Sequence, residues 1–174
     1  MPKLSIVNLE VTSHPKFVDH RGSFERLFDS TWVKELNLLP QQVNISRNTN
    51  KGTLRGLHFQ IAGQPEHKLI GLLSGSIYLA VVDLRKESES YLQVNSFEVN
   101  ASELKSIFIP FGCATGWVTL EPNTDIHYVM YSRFEENSYS GLRYNDSFFN
   151  IPWPMAPNII SEQDMSWPLF DPAN

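Results

Sequence analysis

The 174-residue sequence predicts an all-β fold, a sandwich or a barrel. Short β-like runs begin about ten residues apart, and turn formers separate them. Only one stretch reads clearly as a helix, and eleven prolines and nine glycines scattered among the apolar segments multiply the turns.

In chain order, "LSIVNLEV" (4–11) places apolar residues at roughly every second position and is expected to open the fold as a strand. "STWVKELNLLP" (30–40) carries the helix signal. Ser30 or Thr31 can cap it, Trp32, Val33 and Leu36 share a face, and Pro40 follows its end. The later strands are expected at "QVNIS" (42–46), "TLRGLHFQ" (53–60), "KLIGLLSG" (68–75), "SIYLAVVDL" (76–84) and "YLQVNSFEV" (91–99), then "KSIFIP" (105–110), "GWVTL" (116–120) and "DIHYVMYS" (125–132). Between them lie "TNKG", "GQPE", "SGS", "PFG" and "EPNT". The tail "FFNIPWPMAPNIISEQDMSWPLFDP" is rich in proline and aromatics, which disfavours central strands and predicts loops laid across the barrel. Within it Ser161 can cap a single helical turn and so fix the direction of Asp164. No repeat, low-complexity tract or linker interrupts residues 1–174, which read as one domain.

Hydrophobic residues make up 41% of the chain and aromatics 12%, ample for a core. The net charge is -5 and no run of Lys or Arg occurs, so neither a nucleic acid nor an anionic membrane is the expected partner. Two or three placed cations can still hold a phosphate. The N-terminal stretch lacks the apolar region of a signal peptide, and no window approaches the ~20 apolar residues that cross a bilayer. Cys113 is the only cysteine, which forbids an intrachain disulfide. These features lead to the expectation of a cytoplasmic protein.

"RGLHFQ" (55–60) sets a titratable imidazole in an otherwise apolar strand. It belongs to four stretches that, taken in order, resemble the dTDP-4-dehydrorhamnose 3,5-epimerase family. These are "FVDHRGSFERLF" (17–28), "QVNISRNTNKGTLRGLHFQ" (42–60), "KLIGLLSGSIYLAVVDLR" (68–85) and "GLRYNDSFFNIPWP" (141–154). The resemblance runs from about residue 5 to 165. It implies a double-stranded β-helix (a jelly-roll, cupin-like barrel) with a few short helices. It also implies epimerisation at C3, C5 or both of a nucleotide-diphospho-4-keto-6-deoxy sugar in deoxysugar and polysaccharide biosynthesis. That chemistry needs a base for a carbon-bound proton, stabilisation of an enolate oxygen, and an acid on the opposite ring face. It needs no redox cofactor, because the substrate's ketone acidifies the proton.

By resemblance, His58 is the base and Asp164 the carboxylate behind it, an arrangement with the logic of a catalytic triad that has no nucleophile. An unperturbed imidazole titrates at ~6.5, well suited to proton abstraction near neutrality. Tyr128 matches the acid, since an unperturbed phenol (~10) is a proton donor at pH 7. Lys68 matches a cation near the keto oxygen. Tyr131, three residues beyond Tyr128, is expected on the other face of its strand, and His67 is expected to face away from Lys68.

Arg55 and Arg21 match diphosphate-binding positions, Phe17 belongs to the same substrate-binding set, and the polar row Gln42, Asn44, Ser46 matches groups lining the pocket. The segment around Arg21 reaches the partner subunit's site in the family, which implies a homodimer. Three positions depart from the family pattern: Thr115 stands for a histidine, Phe134 for a tyrosine and Arg26 for a glutamate. They imply retained chemistry with altered substrate choice. The five histidines (14, 20, 58, 67 and 127) show no HxH pair, so no metal site is expected. A nucleotide-sugar 3,4-ketoisomerase and a non-catalytic sugar-nucleotide-binding cupin stand as alternatives.

Overall fold

A computed structural model describes residues 4–33, 39–60 and 66–172. The expected all-β, jelly-roll class is observed, with two five-stranded antiparallel sheets packed face to face. One sheet has the order β1-β9-β6-β11-β4, with β1 Glu10–Ser13, β9 Lys105–Ile109, β6 Lys68–Ser74, β11 Thr124–Met130 and β4 Gln42–Asn48. The other has the order β12-β5-β10-β7-β8, with β12 Tyr139–Gly141, β5 Leu54–Gln60, β10 Cys113–Thr119, β7 Ser76–Asp83 and β8 Val94–Asn100. A separate hairpin pairs β2 (Lys16–Asp19) with β3 (Gly22–Glu25). The single α-helix among the described residues is α1, Glu162–Ser166, capped by the Ser161 side chain as its sequence suggests.

Strand alternation builds the layers. In β7, Ile77, Leu79 and Val81 point between the sheets, where Ile70, Ile107 and Ile126 of the first sheet meet them. Ala80 and Val82 point outward, under a lid of tail residues that includes Leu142, Phe149, Trp153 and Phe170. With both faces covered, β7 reads as a nearly continuous apolar run. On the outside of the first sheet, Phe28 packs over Leu69, Phe108, Val129 and Tyr131.

Three expectations change. The strand in "LSIVNLEV" begins only at Glu10, because Asn8 takes a left-handed φ of 63° and the Leu9 N–H returns to the Ile6 carbonyl. The apparent alternation is a turn that drops Ile6 and Leu9 together into the core. The helix signal at 30–40 yields a 3-10 turn at Ser30–Val33, and residues 34–38 lie outside the described residues. Asp29, rather than Ser30 or Thr31, accepts the Thr31 N–H at 3.0 Å. In "YLQVNSFEV" the strand starts at Val94, after a left-handed Leu92.

Candidate active site

A cavity of about 530 Å³ opens between the two sheets, and residues of both line it. From β5, alternation sends Leu57 and Phe59 into the cluster beneath the tail and turns His58 toward the cavity. Gly56 makes this geometry possible. Its φ of +115° suits glycine, and a Cβ there would lie 2.6 Å from the Gly116 Cα and the Thr115 carbonyl oxygen.

His58 Nε2 lies 2.6 Å from Asp164 Oδ1. Asp164 is 4% exposed and comes from α1, where the Ser161 hydroxyl accepts its backbone N–H. Its Oδ2 accepts the Gly56 N–H at 3.1 Å, and its Oδ1 also accepts the Trp167 indole N–H at 3.2 Å. Burial alone would raise this carboxyl. The hydrogen bond and charge of His58, with the donors of Gly56 and Trp167, outweigh it and hold the group below the usual carboxylate range. An ionised Asp164 makes Nε2 the protonated ring nitrogen and leaves the lone pair on Nδ1.

Tyr128 enters from β11 in the opposite sheet, with its ring 6.4 Å from that of Trp117. Burial raises its pKa, and the nearby Arg55 charge opposes the rise. Tyr131 is turned away into the Phe108 and Val129 cluster, where burial pushes its phenol up to about 12. Lys68, at the start of β6, places Nζ 2.8 Å from Glu66 Oε1 and donates to the His58 carbonyl at 3.4 Å. Glu66 in turn accepts from Gln60 Nε2 at 2.6 Å. His67 faces away as expected, accepting the Phe111 N–H and stacking on Phe108.

Gln42 and Asn44 line the cavity. Ser46 does not line it; it is buried and bonded to the Asn48 amide, whose carbonyl oxygen accepts from Arg55 Nε at 2.9 Å. The polar row of β4 thus continues one step further than expected and anchors Arg55 through Asn48. Thr115 lies opposite His58 in the β5–β10 register and lines the cavity. Its hydroxyl and the Trp117 indole N–H are buried without a hydrogen-bond partner among the described residues. Phe134 stands at the rim and donates its N–H to Gln42 Oε1.

The remaining expected residues lie elsewhere on this chain. Arg21, with a side chain 80% exposed, pairs with Asp19 at 2.6 Å on the hairpin. Phe17 packs beside Phe24, and Arg26 pairs with Asp29 at 3.2 Å. None of the three lines the cavity. Among the described residues no cluster of three His, Cys, Asp or Glu side chains fits a metal ion.

Sequence reasoning missed Glu66, Trp117, Tyr139 and Gln163, all of which line the cavity. Glu66 carried a readable signal, since it alternates with Lys68 toward one face. Tyr139 carried none, because β12 is three residues long and shows no period.

Fold and cavity together define a cupin-like barrel with titratable side chains facing a cavity between its sheets. The comparisons narrow the class. The family described as dTDP-4-dehydrorhamnose 3,5-epimerase matches residues 3–172. The epimerase of that name from Sinorhizobium fredii is 32% identical over 95% of this chain and 86% of its own length. That from Salmonella typhimurium is 30% identical over 98% of this chain and 95% of its own length. The Bacillus anthracis epimerase, solved with TDP and PPi bound, superposes with a TM-score of 0.91 at 30% identity, covering 97% of both chains. The Legionella pneumophila enzyme, in complex with dTDP-4-keto-L-rhamnose, gives 0.89 at 27% identity, covering 97% of this chain and 90% of that one. The chain belongs to the dTDP-4-dehydrorhamnose 3,5-epimerase family, and it is an enzyme of the isomerase class.

Proposed function

We propose that this protein epimerises C3, C5 or both of a dTDP-linked 4-keto-6-deoxy sugar, within cytoplasmic deoxysugar and polysaccharide biosynthesis. The observation that carries the reading is the 2.6 Å contact between His58 and a buried, ionised Asp164, set in a cavity that Tyr128 and Lys68 also line. His58 Nδ1 takes the proton from a carbon beside the ketone, and Asp164 stabilises the imidazolium that forms. The electron pair moves into the carbonyl, and Lys68 faces the resulting enolate oxygen. Preorganised charge of this kind is worth several kcal/mol, on the order of 3, in other enzymes. Tyr128 returns a proton to the carbon from the other ring face. The imidazolium then loses its proton, and the phenolate regains one, by exchange with water. No step needs a cofactor. Glu66 holds Lys68 in place and keeps the cavity from carrying an unbalanced cation.

Gln42, Asn44, Arg55, Thr115 and Phe134 are the substrate-binding groups within one chain, with Ser46 acting through Asn48. Phe17, Val18 and Phe24 on the hairpin and Val43 and Ile45 on β4 present exposed apolar side chains. A second copy covering them makes the homodimer, in which Phe17, Arg21 and Arg26 reach the partner's cavity. The guanidinium of Arg21 is suited to a diphosphate.

The test is incubation with dTDP-4-keto-6-deoxyglucose in deuterated water, read by proton NMR. Deuterium is expected at C3, C5 or both, with inversion at the labelled carbon. No exchange would remove the proposal, and a product with its carbonyl at C3 would identify a ketoisomerase instead.

A further inference from the structure

Three side chains close a circuit with the His58 imidazole. Asp164 Oδ1 meets His58 Nε2 at 2.6 Å, and the same oxygen accepts the Trp167 indole N–H at 3.2 Å. The Trp167 ring stands edge-on to Tyr139 with centroids 6.0 Å apart, and the Tyr139 ring lies 5.1 Å from the imidazole. We propose that Tyr139 and Trp167 are positioning residues that lock the His58–Asp164 pair in one tautomer and one ring orientation. The inference rests on the epimerase reading for its kinetic consequences but not for its geometry.

The surrounding contacts are those of a built clamp. β12 pairs with β5 so that Gly141 lies opposite His58 and Tyr139 opposite Gln60, which sets the height of the Tyr139 ring over the base strand. A Cβ at Gly141 would fall on the Trp167 indole, so glycine there gives the indole its place. The Trp167 carbonyl is held by Arg143 Nε at 2.7 Å, and Phe134 backs Tyr139 at 5.4 Å.

Each contact has a distinct effect. Asp164 alone selects which ring nitrogen faces it but leaves the imidazole plane free to swing about that bond. The Tyr139 ring blocks the swing. Trp167 shares the oxygen that His58 uses, while Gly56 holds the other oxygen, so the carboxylate cannot rotate away. A small displacement of a reacting group can cost as much as ~100-fold in rate, which is the cost this circuit avoids.

Two readouts test the clamp in the full-length protein. Long-range proton–nitrogen NMR of histidine-labelled protein, assigned with His58→Ala, reports the tautomer without substrate. The wild type is expected to show His58 protonated at Nε2 only. Tyr139→Leu is expected to keep that tautomer but to shift and broaden the ring resonances as the imidazole plane swings. Gly141→Ala, which displaces the indole from the carboxylate, is expected to show tautomer averaging, and Trp167→Phe to move the Nε2–H resonance. Spectra of all three variants that superpose on the wild type would overturn the proposal. In turnover, Tyr139→Leu is expected to lower kcat by roughly 10-fold with little change in KM. Tyr139→Phe should restore most of that loss. An equal loss in both would make the hydroxyl the acting group and defeat a positioning role. Trp167→Phe keeps an aromatic ring on Tyr139 and removes the N–H together with the five-membered ring that carries it, so it decides the matter if the leucine variant does not fold. A wild type without deuterium exchange would defeat the epimerase reading, while the spectra would still decide the clamp.

Discussion

Replacing Asp164 by asparagine removes one charge and almost no volume, and the structure gives its cost in two parts. The first is electrostatic. An imidazolium and a carboxylate with charge centres about 4 Å apart interact by ~4 kcal/mol at an effective dielectric of 20. That corresponds to roughly 10³-fold in rate if the charge on His58 develops in the transition state. The second is geometric. The carboxylate accepts from His58, Gly56 and Trp167 through both oxygens. An amide has one acceptor oxygen, so it must turn an N–H₂ toward either the Gly56 N–H or the His58 Nε2–H. Facing Gly56, it sets a donor against a donor at a buried site, a destabilisation of about 1–3 kcal/mol. Facing His58, it selects the tautomer protonated at Nδ1, which has no lone pair left for the substrate. Asp164→Asn is therefore expected to lose about a thousandfold in kcat, to melt several degrees lower, and still to bind dTDP. Deuterium wash-in and thermal melts on one preparation measure both. A variant that retained more than a tenth of the wild-type rate would refute the argument that His58 is charged in the transition state.

Lys68→Met should cost stability as well as activity, because it strands the Glu66 carboxylate, 7% exposed, without its cation; losses of ~3 kcal/mol are typical of broken buried pairs. Denaturant titration reads this, and Lys68→Met with Glu66→Gln is expected to recover part of the stability but not the activity. The raised pKa of Tyr128 keeps its phenol protonated through neutral and mildly alkaline pH, so kcat should not fall on that limb until the pH nears ~10 or above. A decline centred near pH 8 would show that another group donates. Asp83, fully buried and held at about 2 by Arg85, Ser88 and Ser90 against the penalty of burial, has a folded pKa below its unfolded value. Its contribution is present above pH ~4 and is lost as the pH falls through about 2, so the melting-temperature gap between wild type and Asp83→Asn should narrow over that window. The proposed dimer with its hairpin crossed into the partner's cavity predicts that mixing Arg21→Ala with His58→Ala chains regains activity, since one site per mixed dimer would then be intact. Strict inactivity of the mixture would place Arg21 outside the partner's cavity.

Most of the barrel was legible because long strands print their period. β4 to β7 and β9 to β11 all fall on runs with turn residues on either side, and a core facing both sheets makes those runs strongly apolar. The opening segment misled because Ile6 and Leu9 reach the core from a turn, where spacing by three imitates a broken alternation. The β2–β3 hairpin passed unread because its Phe17, Val18 and Phe24 side chains are exposed on this chain and no core face filters them. At the site, His58, Asp164, Tyr128 and Lys68 came through the resemblance, and the coordinates bring all four to one cavity or its wall. Tyr139 and Trp167 stayed hidden because their meaning is purely tertiary. Both lie in short or irregular segments, and only the folded chain sets them against the imidazole.

Whether His58 removes the proton is decided by solvent deuterium wash-in by His58→Ala, run beside a dTDP-binding titration and a thermal melt of the same sample. Folding is expected to be unchanged, nucleotide binding retained and the wash-in rate lower by roughly 10³-fold or more. Wash-in persisting within about tenfold of wild type, with folding and binding intact, would show that another group removes the proton.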